Sequence, residues 1–211
     1  MRFVAVEGNI GSGKTSLAKR LSDHFKAVFI PEEFEENPFL ELFYQNPGKY
    51  AFALEYSFFL DRVRQLRKID FSANQVFISD YFIEKCLWFA KINLSPSASL
   101  EFSQQFSALS GLFPQPEDLI VLHLPLSKIK DNINKRGRAI ESQINSAYLS
   151  ELNLVYQEKP GLIGEMPSIY DVFLSDNSPG HYDRLFEICV EIISGPSKNQ
   201  QVRKTIHIDG A

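Results

Sequence analysis

The sequence has little of what marks secreted, zinc-binding or membrane proteins. It contains two cysteines, Cys86 and Cys189, which are far apart and lack the spacing of a metal site or a disulfide framework. No uninterrupted apolar run approaches the length of a membrane span, and the N-terminus lacks a basic region followed by an apolar segment and a cleavage site. We therefore expect a soluble protein of the reducing cytoplasm.

The sequence also lacks an excess of positive charge. Its 22 lysines and arginines are outnumbered by 26 aspartates and glutamates, which gives a formal net charge of −4. The field of such a chain would not attract a nucleic acid polymer or an anionic membrane surface. No internal repeat is evident, and 211 residues with 44% hydrophobic content predict a single domain over residues 1–211. The 18 phenylalanines and eight tyrosines indicate an aromatic-lined cavity or interface in addition to a core.

A glycine-rich stretch near the N-terminus carries the most specific motif of the chain. Residues 8–15 fill every position of the phosphate-binding pattern G-x-x-x-x-G-K-[ST]. The apolar run 3–6 predicts a buried strand before this stretch, and residues 15–21 predict a helix after it. Backbone N–H groups and a helix N-terminus together attract a phosphate, so a glycine-rich turn that matches by accident is the weaker alternative. The predicted nucleoside triphosphate site consists of Gly8, Asn9, Ile10, Gly11, Ser12, Gly13, Lys14 and Thr15.

Strands and helices are predicted to alternate along the chain. Strands are predicted at about 2–7, 27–30, 75–79 and 119–124, and helices at about 14–25, 49–69, 83–92, 97–112, 126–135, 145–158 and 180–194. Residues 168–174 and 204–209 compete for the fifth strand; we favour the second segment, with 194–200 as a polar connector. This alternation predicts an α/β fold, a three-layer sandwich with a five-stranded parallel sheet whose ligands bind beyond the C-terminal ends of the strands.

Acidic residues follow two of the predicted strands. Glu32 comes after the second strand and Asp80 after the third, so both can face the crevice that holds the glycine-rich loop. Phosphoryl transfer requires a metal, charge stabilisers and a group that orients or deprotonates the acceptor. Asp80 suits the metal or its waters. Glu32 suits the acceptor, although it belongs to the acidic run 32–36, and such a run is equally typical of a solvated loop.

Two arginines flank a glycine at a predicted helix end. Arg136, Gly137 and Arg138 suit a lid, at about residues 134–146, that closes over phosphates and stabilises developing negative charge. Basic residues followed by glycine are also usual at helix C-termini. We favour the lid and retain the helix cap as the alternative.

Glu55 lies on an aromatic face of the predicted helix 49–69. Phe52, Phe59 and Arg62 share this face by helical spacing. An ionised carboxylate in such surroundings needs a partner, and Arg62 can be one. From these residues alone, a structural ion pair is the slightly preferred interpretation.

The ordered set of motifs resembles the deoxynucleoside kinases, and among them the bacterial deoxyguanosine kinase branch most closely. The similarity spans about residues 1–158 and rests on residues 8–15, Glu32 with 36–40, Phe43-Tyr44, Phe52 with Glu55 and Arg62, Asp80-Tyr81, and 136–138 with Glu141 and Tyr148-Leu149. The resemblance implies a homodimeric P-loop kinase with an arginine lid, in which Mg²⁺ and ATP phosphorylate the 5′-hydroxyl of a small-molecule deoxynucleoside.

The resemblance also implies roles for individual residues. Glu32 is expected to be the general base, Lys14, Arg136 and Arg138 the charge-stabilising catalytic groups, and Thr15 and Asp80 the residues near Mg²⁺. The expected substrate-binding residues are Tyr44 and Glu141 at the 3′-hydroxyl, Glu55 and Arg62 at the base, and Tyr56, Asp80 and Tyr81.

The carboxylate of Glu55 favours guanine. Relatives that prefer adenosine or cytidine have glutamine here, which offers one donor and one acceptor, whereas a carboxylate only accepts hydrogen bonds. Guanine presents two adjacent donors and adenine one donor beside an acceptor, and a buried mismatch discriminates by on the order of 10⁴-fold. We therefore expect a deoxyguanosine kinase, with a deoxyadenosine/deoxycytidine or broad-specificity kinase as the alternative.

Asn132 supports an alternative of another class. It lies one helical turn before Arg136, where relatives often carry a further lid arginine, and Lys135 is a possible substitute. Tyr81 also departs from the family pattern, since many members carry an arginine there, although the deoxyguanosine kinase branch tolerates tyrosine. A chain with weakened chemistry would be a nucleotide-binding regulatory subunit that pairs with an active kinase.

Overall fold

Six strands form one parallel sheet in this computed structural model, which describes residues 2–73, 75–159, 167–196 and 201–209. The strands are β1 (Arg2–Gly8), β2 (Val28–Ile30), β3 (Val76–Ser79), β4 (Asp118–His123), β5 (Ser168–Leu174) and β6 (Arg203–Ile208). Their spatial order is β2-β3-β1-β4-β5-β6, and each neighbouring pair is parallel. The predicted α/β architecture is therefore confirmed.

Helices connect the strands and cover both faces of the sheet. They are α1 (Lys14–Phe25), α2 (Leu40–Gln45), α3 (Pro47–Arg67), α4 (Lys85–Asn93), α5 (Pro96–Leu109), α6 (Leu126–Arg136), α7 (Ser146–Glu158) and α8 (Pro179–Ser194), with short 3₁₀ turns at Ser110–Leu112 and Ala139–Gln143. The predicted helices are confirmed to within a few residues, and α2 is an addition to them. None of the described helices is long and apolar enough to cross a membrane.

The prediction of five strands was wrong by one. Both segments that competed for the fifth position are strands, because β5 pairs with β4 and β6 then pairs with β5. β5 is buried almost throughout, whereas β6 is a largely exposed edge strand that begins with Arg203 and Lys204. The predicted connector 194–200 lies partly outside the described residues, since 197–200 are not described.

The core lies on both sides of the sheet because side chains alternate along each strand. On one face, Val4 and Val6 of β1 belong to a cluster with α1, α6 and α8. On the other face, Phe3 and Ala5 belong to clusters formed with α3, α4, α5 and α7. Strand β1 is buried on both faces, which explains why its sequence is a continuous apolar run.

Three helices begin where short polar side chains cap their N-termini. Asn46 Oδ1 accepts from the Lys49 N–H at the start of α3, Ser95 Oγ from the Ala98 N–H at α5, and Asn145 Oδ1 from the Tyr148 N–H at α7. Proline follows the cap of α3 and of α5, where its missing N–H costs nothing.

The register brings the ends of three strands to one edge of the sheet. Ile30 pairs with Ser79, and Ala5 of β1 pairs with the same Ser79. The segments that follow β1, β2 and β3 therefore emerge side by side at this edge.

We expect Leu119→Ala to lower the free energy of unfolding by about 2–5 kcal/mol, because Leu119 is fully buried in β4 and its loss leaves a cavity. Leu154→Ala is the matched control: Leu154 is 58% exposed on α7, and its removal should change stability by less than about 0.5 kcal/mol. Urea denaturation followed by circular dichroism measures both. Equal effects of the two substitutions would contradict the assignment of β4 to the core.

Candidate active site

The glycine-rich loop that follows β1 requires glycine at specific positions. Gly11 has φ +81°, and a Cβ there would lie 2.9 Å from the Ile129 carbonyl oxygen. Gly13 has φ +90° and directly precedes α1, where the left-handed conformation turns the chain into the helix. The loop thus reaches the α1 N-terminus in the conformation that suits a phosphate cradle.

Two asparagine side chains tie this loop to neighbouring helices, one from within the loop and one from α6. Asn9 Nδ2 donates to the Leu149 carbonyl oxygen of α7 at 2.9 Å, and Asn132 Nδ2 donates from α6 to the Gly11 carbonyl oxygen at 2.8 Å. Asn132 therefore supports the loop backbone, a role that its sequence position did not indicate. Ser12 Oγ is buried without a hydrogen-bond partner among the described residues, as expected for a loop that a bound anion completes.

Lys14 and Thr15, at the loop's C-terminal end, face a cleft at the edge of the sheet. Lys14 is half-buried and Thr15 is exposed. Burial lowers the pKa of Lys14, and neighbouring Lys85 lowers it further against the opposing charges of Glu7, Glu32 and Asp80.

Glu32 lies just beyond β2 in a cluster of charges. It accepts hydrogen bonds from the Arg62 guanidinium and from Lys85, whose Nζ is 2.9 Å from Oε1 and 3.0 Å from Oε2. Its main-chain N–H donates to Asp80 Oδ1 at 2.6 Å. Burial raises the pKa of Glu32, but Lys85, Arg62 and Lys14 outweigh this effect and hold the pKa well below its usual range. Glu32 is therefore ionised.

Lys85 and Glu7 are site residues that the sequence reasoning missed. Lys85 begins α4 with its side chain 5% exposed, and although burial lowers its pKa, Glu32 and Glu7 raise it above the usual value. Glu7 is fully buried in β1, accepts from the Tyr156 hydroxyl at 3.0 Å, and lies 3.5 Å from Lys85 Nζ. The available signals were a glutamate directly before the glycine-rich loop and a lysine inside an apolar helix.

Glu55 is a second buried carboxyl that lines the same cleft. It is 2% exposed, and its Oε1 accepts a hydrogen bond from Asn93 Nδ2 at 2.7 Å. Burial raises the pKa of Glu55 to about 7, although Asn93, Arg62 and Lys85 each act to lower it. This carboxyl is therefore poised between its ionised and neutral forms near neutral pH.

Arg62 makes its ion pair with Glu32, so the predicted Glu55–Arg62 pair is not the contact that the structure shows. Its guanidinium also donates to Cys86 Sγ at 3.2 Å and lies 4.8 Å from the Phe58 ring centroid. The helical spacing correctly placed Arg62 and Glu55 in one cleft, but a residue distant in sequence decides the pairing.

Arg136 ends α6, Arg138 follows Gly137, and both arginines contact the carboxylate of Glu141. Arg136 Nε and Nη2 donate to the two oxygens of Glu141 at 3.0 and 2.6 Å, and Arg138 Nη1 lies 3.5 Å from Glu141 Oε1. Gly137, with φ +64°, ends α6, so the alternative of a helix cap also holds at this position. Arg138 further lies 4.8 Å from the Phe34 ring centroid.

The cleft brings together most of the predicted site residues. It encloses about 850 Å³ of empty space, its open mouth included. Predicted site residues that line it are Ile10, Lys14, Thr15, Glu32, Tyr44, Glu55, Arg62, Asp80, Arg136, Arg138 and Glu141. Burial raises the pKa of Tyr44, and Glu141 and Glu55 raise it further because both carboxyls lie near its hydroxyl.

A second cavity also borders the loop. Gly11, Ser12 and Gly13 line it together with Arg136 and Tyr182. The loop and Arg136 therefore border two adjoining spaces, one of which can hold a phosphate donor and the other an acceptor.

Two predicted substrate-binding residues lie outside the lining of the main cleft. The Tyr56 ring packs against Phe52 and Phe102, with centroid distances of 4.4 and 5.0 Å. One residue along a helix turns the side chain by about 100°, so Tyr56 points away from the space that Glu55 faces. Tyr81 is buried, and its hydroxyl donates to Gln65 Oε1 at 2.7 Å.

Thr15 and Asp80 are oxygen donors that fit a Mg²⁺ ion bound with phosphates. Both line the cleft, and Asp80 is 2% exposed beside the Glu32 main chain. In the part of the chain that the structure describes, no group of three or more His, Cys, Asp and Glu surrounds a common metal position. Mg²⁺ in phosphoryl-transfer sites is held through one or two protein oxygens and substrate phosphates, so the two residues are compatible with it.

The fold and the site together define the class of P-loop phosphotransferases. Its features are a parallel sheet, a glycine-rich loop that contains a lysine before α1, and a carboxylate that faces the same cleft. Residues 4–174 match the model of the family described as deoxynucleoside kinase. The chain belongs to the deoxynucleoside kinase family.

Individual relatives differ in the substrates that their names state. The chain is 36% identical over 158 residues to the deoxyguanosine kinase of Bacillus subtilis strain 168, which covers 74% of this chain and 76% of the relative. It is 29% identical over 190 residues to the deoxyadenosine/deoxycytidine kinase of the same organism, with 83% and 87% covered. A structure of deoxyadenosine kinase from M. mycoides has a TM-score of 0.73 over 90% of this chain and 97% of that one, at 21% identity, and so shares the fold.

We expect Gly11→Ala to weaken binding of ATP by at least about tenfold, because the left-handed conformation and the 2.9 Å approach to Ile129 force the loop to shift. Gly111→Ala is the matched control, since Gly111 has an ordinary φ and open space around its Cα. Calorimetric titration with ATP measures both. Equal affinities of the two variants would contradict the role of the loop.

Proposed function

We propose that this protein transfers the γ-phosphoryl group of ATP to the 5′-hydroxyl of deoxyguanosine, yielding dGMP and ADP in nucleotide salvage. The observation that carries the choice of nucleobase is Glu55, a buried carboxyl that lines the cleft. The resemblance to the Bacillus subtilis deoxyguanosine kinase supports the same choice.

The hydrogen-bonding pattern of Glu55 supports guanine. Its ionised carboxyl offers acceptors only, and guanine presents N1–H and the 2-amino group side by side. Two donors from the base would also favour the ionised form of a carboxyl whose pKa is about 7. Adenine places an acceptor beside its donor, and this acceptor would face a carboxylate oxygen without a proton between them.

The ion cluster around Glu32 supports its role as the acceptor of the 5′-hydroxyl proton. Arg62 and Lys85 keep the carboxylate ionised and fix its position in the cleft. A strongly depressed pKa makes Glu32 a weak base, so it orients the hydroxyl first and takes the proton as the new P–O bond forms, as a loose transition state allows.

The positive groups of the cleft suit the phosphates. Lys14, Arg136 and Arg138 line the space beside the loop and would stabilise the charge on the transferring group. Bound Mg²⁺ would neutralise phosphate charge, and Thr15 and Asp80 are the residues that would hold it. A homodimeric assembly and a cytoplasmic location are part of the same proposal.

The alternative substrate is deoxyadenosine or deoxycytidine. The likeness to the Bacillus subtilis deoxyadenosine/deoxycytidine kinase favours it, as does the near-neutral pKa of Glu55, since a protonated carboxyl offers one donor and one acceptor. The regulatory-subunit alternative, which Asn132 suggested, predicts ATP binding without turnover.

We expect the purified protein with Mg²⁺ and ATP to phosphorylate deoxyguanosine in preference to deoxyadenosine, deoxycytidine and thymidine at pH 8. Glu55→Gln should change the ratio of kcat/KM values for deoxyguanosine and deoxyadenosine by about two orders of magnitude or more in favour of deoxyadenosine, since glutamine presents a donor and an acceptor. Product formation with each nucleoside is measured by chromatography. An unchanged ratio would remove Glu55 from base recognition, and ATP binding without any product would favour the regulatory subunit.

We expect Glu32→Gln to lower kcat by about 10²–10⁴-fold while ATP affinity changes little, because the amide cannot accept the hydroxyl proton. Glu33→Gln is the matched control, since Glu33 is the adjacent glutamate and does not line the cleft. Steady-state kinetics and ATP titration distinguish the effects. A larger loss of kcat in the Glu33 variant would overturn the assignment of Glu32 as the general base.

A further inference from the structure

Asn93 is the last residue of α4, and its side chain contacts Glu55, which lines the cleft. Its Nδ2 donates to Glu55 Oε1 at 2.7 Å and to the Tyr148 hydroxyl oxygen at 3.1 Å, so both amide hydrogens are used. When Glu55 is ionised the amide nitrogen faces it, because the amide oxygen there would oppose a carboxylate oxygen with no proton between them. Asn93 is not among the residues that line the cleft, whereas Glu55 is.

The groups around Glu55 come from several elements. Arg62 lies on the same helix, Lys85, Cys86 and Asn93 on α4, Tyr44 on α2 next to Glu141, and Tyr148 on α7. The two cations in this set, Arg62 and Lys85, are both engaged by Glu32. Among the described residues, the hydrogen bond that directly stabilises the ionised Glu55 therefore comes from Asn93.

The two protonation states of Glu55 present two different patterns to a base. The carboxylate offers acceptors only, which match the two donors of guanine. The neutral acid offers one O–H donor and one carbonyl acceptor, the pattern of a glutamine side chain, which matches adenine or cytosine. Protonation of Glu55 therefore changes the matching base from guanine to adenine or cytosine.

We propose that Asn93 is a specificity-determining residue that acts through Glu55: its amide fixes the carboxyl group and favours the ionised form that selects guanine. This inference rests on the proposed deoxynucleoside kinase function. Burial raises the pKa of Glu55 to about 7 and the Asn93 hydrogen bond opposes that rise, so loss of the amide moves the pKa further up. At a given pH, more of the enzyme then presents the glutamine-like pattern.

The test is the pH profile of the ratio of kcat/KM values for deoxyguanosine and deoxyadenosine, measured from about pH 5.5 to about pH 8.5, because kcat/KM reports the pKa values of the free enzyme. In the wild-type protein the ratio should rise with pH as Glu55 ionises, because kcat/KM for deoxyguanosine rises and kcat/KM for deoxyadenosine falls, each through a midpoint near 7. In Asn93→Leu, which keeps the side-chain size and removes the donor, the midpoint should move up by about one pH unit or more. At pH 7 this variant should show a ratio lowered by about tenfold or more, and the ratio should recover at higher pH.

The Glu55→Gln background separates this effect from general damage to the pocket. Glu55→Gln should give a low ratio that does not vary with pH, and adding Asn93→Leu to it should introduce no pH dependence. Asn93→Asp, which is isosteric and places a like charge beside Glu55, should move the midpoint in the same direction as Asn93→Leu and provides the test should the leucine variant not fold.

Three results would overturn the inference. They are a wild-type ratio that does not change with pH, a midpoint that Asn93→Leu and Asn93→Asp leave in place, and a pH-dependent shift that persists in the Glu55→Gln background. Deoxyguanosine turnover with any of these results refutes the role of Asn93 alone. Absence of turnover with every nucleoside refutes the proposed function as well.

Discussion

The site depends on a buried cluster of opposite charges. Glu7 on β1, Glu32 beyond β2, Arg62 on α3 and Lys85 on α4 meet with side chains that are at most 13% exposed. Removing one member of such a cluster would leave a buried charge uncompensated, which costs several kcal/mol, on the order of 3–5. The cluster therefore joins β1 and the segment after β2 to helices α3 and α4, and it positions Glu32 beside the glycine-rich loop.

Two buried carboxyls in one cleft acquire opposite properties from their neighbours. Glu32 is surrounded by cations and has a depressed pKa, whereas Glu55 has one amide donor and a pKa raised to about 7. Burial acts in the same direction on both, so the difference comes from where Arg62 and Lys85 direct their charge. Neighbouring carboxyls with well-separated pKa values are typical of active sites in which the two groups have different roles.

Local patterns accounted for most of the fold. The bounds of α1 at Lys14–Phe25 agree with the prediction because the loop motif and the apolar spacing mark both ends. The number of strands did not follow from local patterns, since β6 is a polar edge strand that its pairing with β5 stabilises. Helix α2 has six residues, too few for a periodicity to be recognised, and its buried residues Leu40 and Phe43 pack in a cluster with α3.

The sequence by itself determined the phosphate-binding loop and the alternation of strands and helices, because these follow from contiguous residues and regular spacing, and it indicated many of the residues that line the cleft. Only the tertiary structure decided that Arg62 pairs with Glu32, that Lys85 joins them, and that Asn93 holds Glu55. These partners lie 30, 53 and 38 residues apart. The charge state of each carboxyl is set by which distant groups the packing of α3 on α4 brings within hydrogen-bonding distance, and no local pattern carries that information.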